Sequence, residues 1–130
     1  MTKKPKFNNV NRKGRRKKEP FVQLKRYMIN HVSWRKLHPG ARVIYIELRN
    51  RFNGINNGEI SLSCREAAGV ALCGKDTARR HLNQLIEHGF IKIASKGYFR
   101  NRHASTWILT NEDLYDTGPT NEWAKWRPKK

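Results

Sequence analysis

Residues 60–109 read ISLSCREAAGVALCGKDTARRHLNQLIEHGFIKIASKGYFRNRHASTWIL. The polar–apolar alternation of Glu59-Ile60-Ser61-Leu62 predicts a short strand. Ser63-Cys64-Arg65-Glu66 has capping-box spacing: a serine hydroxyl can take the N3 amide while the glutamate reaches back to the serine amide. A helix through Ala67 and Ala68 follows, and these small residues let a neighbouring helix pack close. Gly69 to Cys73 is then expected to hold a turn. Gly74-Lys75-Asp76-Thr77 opens the next helix, with Gly74 as an acceptable N-cap and Asp76 favourable to the helix dipole. His88-Gly89 closes that helix with glycine near its C-cap. Two strands are predicted after it, residues 90–94 and 104–110, the second with Trp107 and Leu109 or Ile108 turned inward. The basic tip between them, residues 95–103, carries Lys96, Arg100, Arg102 and His103.

The second helix holds the polar chemistry. At 100° per residue, Ala78, Leu82, Leu85 and Ile86 form its core side. The opposite side presents Asp76, Arg80, Asn83 and Glu87, flanked by Thr77, Arg79 and Gln84. Arginine suits guanine O6 and N7, and asparagine suits adenine. A recognition helix contacts bases mostly through its N-terminal residues, which selects Lys75, Thr77, Arg79, Arg80 and Asn83 as candidate readers. Such a face on a lone helix is as readily a solvated one. The helix before it and the strands after it favour DNA reading. The tip side chains Lys96, Arg100, Arg102 and His103 suit phosphates or a narrow minor groove, against the plainer reading of a solvated hairpin.

Upstream, Ala41, Ile44, Tyr45, Leu48 and Phe52 mark a helix over residues 41–52 after the punctuation of Pro39-Gly40. Val43 and Ile46 lie off its stripe, so a second apolar surface needs cover, from the preceding Phe21–Met28 segment or from a second protomer. Phe21, Leu24, Tyr27 and Met28 have helix-compatible spacing, and residues 33–37 could add a turn that Pro39 stops. Asn53-Gly54 and Asn56-Asn57-Gly58 are turn chemistry.

Residues 1–20 hold nine Lys and Arg against one acid, Glu19, a net +8 of the chain's +18. With Met1, Phe7 and Val10 as their apolar content, they are expected to be a disordered arm whose Arg12, Lys13, Arg15, Arg16, Lys17 and Lys18 track phosphates or enter a minor groove. A solubilising tail is the alternative. Residues 111–130 are a polar tail in which Trp123 and Trp126 suggest docking onto the body.

Composition narrows the function. The chain has 130 residues, 28 Lys and Arg against 10 Asp and Glu, 37% apolar residues and two cysteines. A body so basic calls for a polyanionic partner, nucleic acid before a membrane surface. No apolar run approaches the roughly 20 residues of a membrane span, and no secretory signal is evident. Cys64 and Cys73 are expected to pack as small hydrophobes in a reducing cytoplasm. No CxxC or HxxxH pair, phosphate loop, nucleophile elbow or paired-carboxylate cluster appears, so neither metal, cofactor, small-molecule ligand nor enzymatic activity is expected.

REAA…KDTARRHLNQLIEHGFI followed by a hairpin resembles the winged helix-turn-helix domains of bacterial, plasmid and phage regulators. FVQLKRYMINHVSW…ARVIYIELRNRFNG…NNGEI resembles the leading half of small proteins of that kind, so the likeness spans most of residues 21–110. It departs at Gly69-Val70-Ala71-Leu72-Cys73-Gly74, where such domains carry a pattern like EALGVS. The resemblance implies a DNA-binding role, in transcription or in replication, without separating the two. The expectation is therefore a mainly α fold with a small antiparallel β-hairpin: basic arm 1–20, winged helix-turn-helix 21–110, docked tail 111–130. Its expected partner is double-stranded DNA, with a homodimer or protein partner possible, in the cytoplasm at the nucleoid. Sequence-specific transcription regulation is the first reading. A plasmid or phage replication accessory is the second, and a nucleic-acid binder acting through charge alone is the third.

Overall fold

The computed structural model describes residues 19–95 and 104–129. Its longest helices are set by local chemistry. His38 is extended (ψ 141°) and its ring accepts the Gly40 amide, so Pro39 occupies the first helical position and α3 spans Pro39–Arg51. Proline fits there because that amide has no intrahelical partner anyway. The residue read as a stop for the preceding segment is thus also the start of the next helix, two residues earlier than the apolar stripe indicates. Before it lie two single-turn helices, α1 Arg26–Ile29 and α2 Val32–Arg35.

Ser63 and Glu66 form the expected capping box, and α4 spans Cys64–Ala71. The helix runs on through Gly69 to Ala71, residues assigned to the turn from sequence. The turn proper is tighter: Leu72 takes a left-handed conformation (φ 53°, ψ 50°) and Gly74 caps the next helix, α5, Lys75–Glu87. Glycine at 69 reads as a breaker, but capping and the burial of Ala67 carry the helix past it.

Three strands complete the described fold: β1 Ile60–Ser61, β2 Ile91–Ser95 and β3 Thr106–Leu109. They form one antiparallel sheet ordered β1-β3-β2, with Ile60 opposite Trp107 and Ile91 opposite Leu109. The chain is therefore mixed α/β among the described residues, with five α-helices and a three-stranded sheet rather than a hairpin alone. Asn57 fastens the sheet to the loop after it. Its side chain donates to the Leu109 and Asp113 carbonyls (both 3.0 Å) and accepts the Leu109 amide (2.7 Å) while almost wholly buried.

Met28, Trp34, Ile44, Tyr45, Leu48, Leu62, Leu82, Leu85, Phe90, Trp107 and Leu109 build the core with several smaller neighbours. Trp34, Tyr45 and Phe90 meet edge to face at 5.5–5.7 Å. Each such contact adds about 0.5–1.5 kcal/mol beyond burial. Burial also pushes the Tyr45 hydroxyl well above the ordinary tyrosine range, so it stays protonated and bonds Asn111. At the other end of the chain Trp123 is buried, lies parallel to Phe90 and touches Tyr27, and Trp126 stacks on His88 at 4.0 Å. Gly89 makes that approach possible. It sits at φ +85°, and a Cβ there would lie 2.7 Å from the Glu122–Trp123 backbone.

The cover expected for α3 is not provided by residues 21–28. Val43 and Ile46 remain 40% and 39% exposed, and Phe21 and Tyr27 are 74% and 60% exposed. That segment passes along the Arg49 side of α3 instead. The Arg49 guanidinium holds the Gln23 carbonyl at 3.1 Å, and Met28 inserts beside Tyr45.

Candidate nucleic-acid interface

The candidate surface is the solvent side of α5, which packs through Ala78, Leu82 and Leu85. Its nearest helical neighbours are α3 and α4. Ala67 and Ala78 are fully buried, so small side chains stand where the helices need to come close. Gly74 makes no side-chain bond to the first turn, so no side chain claims the leading amides of α5. Lys75, Asp76, Arg79, Arg80, Asn83 and Glu87 are exposed, and Thr77 is half-buried.

Thr77, Arg80 and Asn83 come together on the wall of an open depression of about 460 Å³, with His38, His81, Gln84 and Glu87. Lys75 and Arg79 lie on the same helix outside it. Gln84, a flanking residue of the polar face in the sequence, is partly committed to the fold: its Oε1 accepts the His38 amide at 2.9 Å and ties α5 to the start of α3.

The histidines of this depression were not singled out from the sequence. The rings of His38 and His81 stack at 4.5 Å, 25° from parallel. His81 is buried although it stands on α5 among exposed polar residues, and Gly40 is what lets it fit: a Cβ at residue 40 would lie 2.4 Å from its Nε2. Burial lowers its pKa below the ordinary histidine value, and the neighbouring His38 adds to the effect. His81 is three residues after Ala78 and four before Leu85, so the helical period itself could have flagged it as inward-facing.

What the cations touch separates those that hold the fold from those left open. Arg42 donates to the Trp34 and Arg35 carbonyls, and Arg49 pairs with Glu112 at 2.7 Å. Arg51 bonds the Ser61 carbonyl and Glu66, and holds the Glu66 carboxyl below its ordinary range. Lys92 pairs with Glu122. By contrast, Lys75, Arg79 and Arg80 make no hydrogen bond or ion pair with any described residue, even with Asp76 and Glu87 on the same helix.

The tip residues Lys96, Arg100, Arg102 and His103 and the arm residues Arg12, Lys13, Arg15, Arg16, Lys17 and Lys18 lie outside the described residues. Within them, Ser95 pairs with Thr106, which sets both ends of the tip at one end of the sheet. Both cysteines are free and half-buried. No cluster of three His, Cys, Asp or Glu able to hold a metal occurs among the described residues, and no described helix is long and apolar enough to cross a membrane. Compared with protein-family models, curated proteins and solved structures, the chain gave no match.

Proposed function

We propose that this protein binds specific sequences in double-stranded DNA through a winged helix-turn-helix and acts as a transcription regulator rather than an enzyme. α4 and α5 supply the helix pair, and β2 and β3 supply the wing strands. The observation that carries the reading is the free polar surface of α5. Arg79, Arg80 and Asn83 are exposed, unclaimed by other described side chains, and chemically able to read guanine and adenine edges. The open first turn of α5 with Lys75 suits a backbone phosphate beside those bases. The basic arm adds affinity that depends on salt rather than on sequence.

Selection of bound duplexes from a random pool tests the reading. A defined consensus, with affinity at least about a thousandfold above random DNA, is expected of a specific binder. Recovery of an unenriched pool, or equal competition by unrelated RNA, would leave a binder acting through charge alone. Where a consensus emerges, its distribution separates regulation, at promoters, from replication, at one iterated origin. Deleting residues 1–18 should make log K less steep in log salt by several units, because each lost phosphate contact removes about 0.9 from the slope.

A further inference from the structure

His81 stands on the exposed reading helix yet is more than nine-tenths buried, and its ring makes no hydrogen bond to any described residue. No wholly buried side-chain nitrogen or oxygen among the described residues lacks a partner, so the unbonded ring edge of His81 is one that reaches the solvent of the depression. The ring is not held there by polar contacts. It is held by packing: one face lies on His38 at 4.5 Å and Nε2 lies against Gly40. His38 in turn is fixed in orientation by the backbone. Its Nδ1 accepts the Gly40 amide at 3.0 Å. Beside them stand Arg80, Asn83 and Thr77.

We propose that this depression seats a backbone phosphodiester of the bound DNA, and that His81 takes up a proton when the phosphate enters. The proposal rests on the DNA-binding reading of α5. In the free protein, burial and the neighbouring ring hold the His81 pKa below the ordinary histidine value. A phosphate oxygen seated against the Thr77 wall of the depression, with Arg80 left to its base edge, brings negative charge to the open edge of His81, which favours imidazolium and gives the new N–H an acceptor. The other charged groups around it are accounted for. Glu87 lies at the edge of the depression and also favours the imidazolium, though it opposes the anion. On α3, Arg42 is turned to the Trp34 and Arg35 carbonyls, and on α4 neither Arg65 nor Glu66 lines the depression. One ring meets the phosphate, so one proton is the expected stoichiometry.

Proton uptake on binding makes affinity rise as pH falls, by up to about tenfold per pH unit for one proton. The test is the affinity of the full chain for its selected duplex between pH 5.5 and 8 at constant ionic strength, for wild type, His81→Gln and His38→Asn. The asparagine retains an N-cap acceptor, and thermal unfolding confirms that each variant is folded. Wild type should gain about tenfold per unit in acid. His81→Gln should show a flat profile, while His38→Asn should keep a slope, smaller than that of wild type because the ring that helps lower the His81 pKa is gone. A flat wild-type profile with DNA binding intact overturns the proton linkage and leaves the DNA reading standing. A slope that survives in His81→Gln overturns the assignment to this ring. Absence of duplex binding at every pH overturns both readings. Following the His81 ring by NMR with inorganic phosphate separates a free anion from the DNA backbone. A smaller change than with duplex is expected, and an equal one would overturn the assignment to the DNA phosphate.

Discussion

Replacing Arg80 by alanine tests the proposed base reading separately from folding. Arg80 is exposed on a helix and makes no hydrogen bond or ion pair with any described residue. Its removal therefore leaves no buried group unpaired, and alanine at a helix surface is favourable by only a few tenths of a kcal/mol. Folding stability should be unchanged within about 0.5 kcal/mol. Binding to the selected duplex should weaken by about 1–3 kcal/mol, the worth of one bidentate contact to guanine, which is roughly 5- to 150-fold. Binding to random duplex should weaken much less, in the manner of one lost phosphate contact. Fluorescence anisotropy with both duplexes at three salt concentrations separates the two losses. Equal losses on selected and random DNA, with parallel salt dependence, would show that Arg80 contributes charge and no discrimination, and the reading face would have to be sought elsewhere on α5.

Other perturbations test the scaffold under that face. Asn57→Ala removes the side-chain bonds to the Leu109 and Asp113 backbone in a buried setting and should cost about 2–4 kcal/mol in denaturant unfolding, with a loss under 1 kcal/mol refuting the linking role. Leu72→Gly relieves a left-handed leucine whose side chain is 91% exposed; after the entropy glycine adds to the unfolded chain, a net gain of up to about 1 kcal/mol is expected, and a destabilisation would show that the leucine is held by contacts. Because the His81 pKa is lowered on folding, the unfolded chain binds its proton more readily, so stability present above the ordinary histidine value should fall as pH drops below about 6.5. His81→Gln should flatten that limb of a melting-temperature profile, and an unchanged limb would place the proton on other groups.

Much of the scaffold was legible because its signals are local. The Ser63–Glu66 capping box, the α5 stripe of Ala78, Leu82 and Leu85, and the inward Trp107 each follow from spacing alone, while the structure settles Leu109 over Ile108 as the second inward residue of β3. The rest was decided by interactions that the propensity of a single residue does not record. Gly69 continues a helix because the capping box starts it firmly and Ala67 is buried in the core. Asn57 lies in the turn its sequence indicates, and what the sequence does not show is that its amide reaches residues 52 and more positions away. Residues 21–28 follow Arg49 rather than Val43 and Ile46, a choice made by one guanidinium and one backbone carbonyl that no periodicity records. Thr77, Arg80 and Asn83, selected from the sequence, share one wall of the depression, but the partners of that wall, His38 and His81, come together only when α3 and α5 cross at Gly40.

A net charge of +18 is therefore less informative than the way its carriers are spent. Arg42, Arg49 and Arg51 carry the same formal charge as Arg79 and Arg80, but their donors are committed to the carbonyls of residues 34, 35, 23 and 61 and to Glu112 and Glu66. A phosphate or base approaching those side chains would have to displace bonds the fold already uses, and the cost would cancel most of a charge-assisted contact worth about 1.5–3 kcal/mol. Lys75, Arg79 and Arg80 face no such cost, and they lie on one helix whose first turn is open and whose inner side is fixed by Leu82, Leu85 and Gln84. A helix clamped from within and uncommitted without is what reading requires: the scaffold fixes where the donors start, and the partner alone decides where they end.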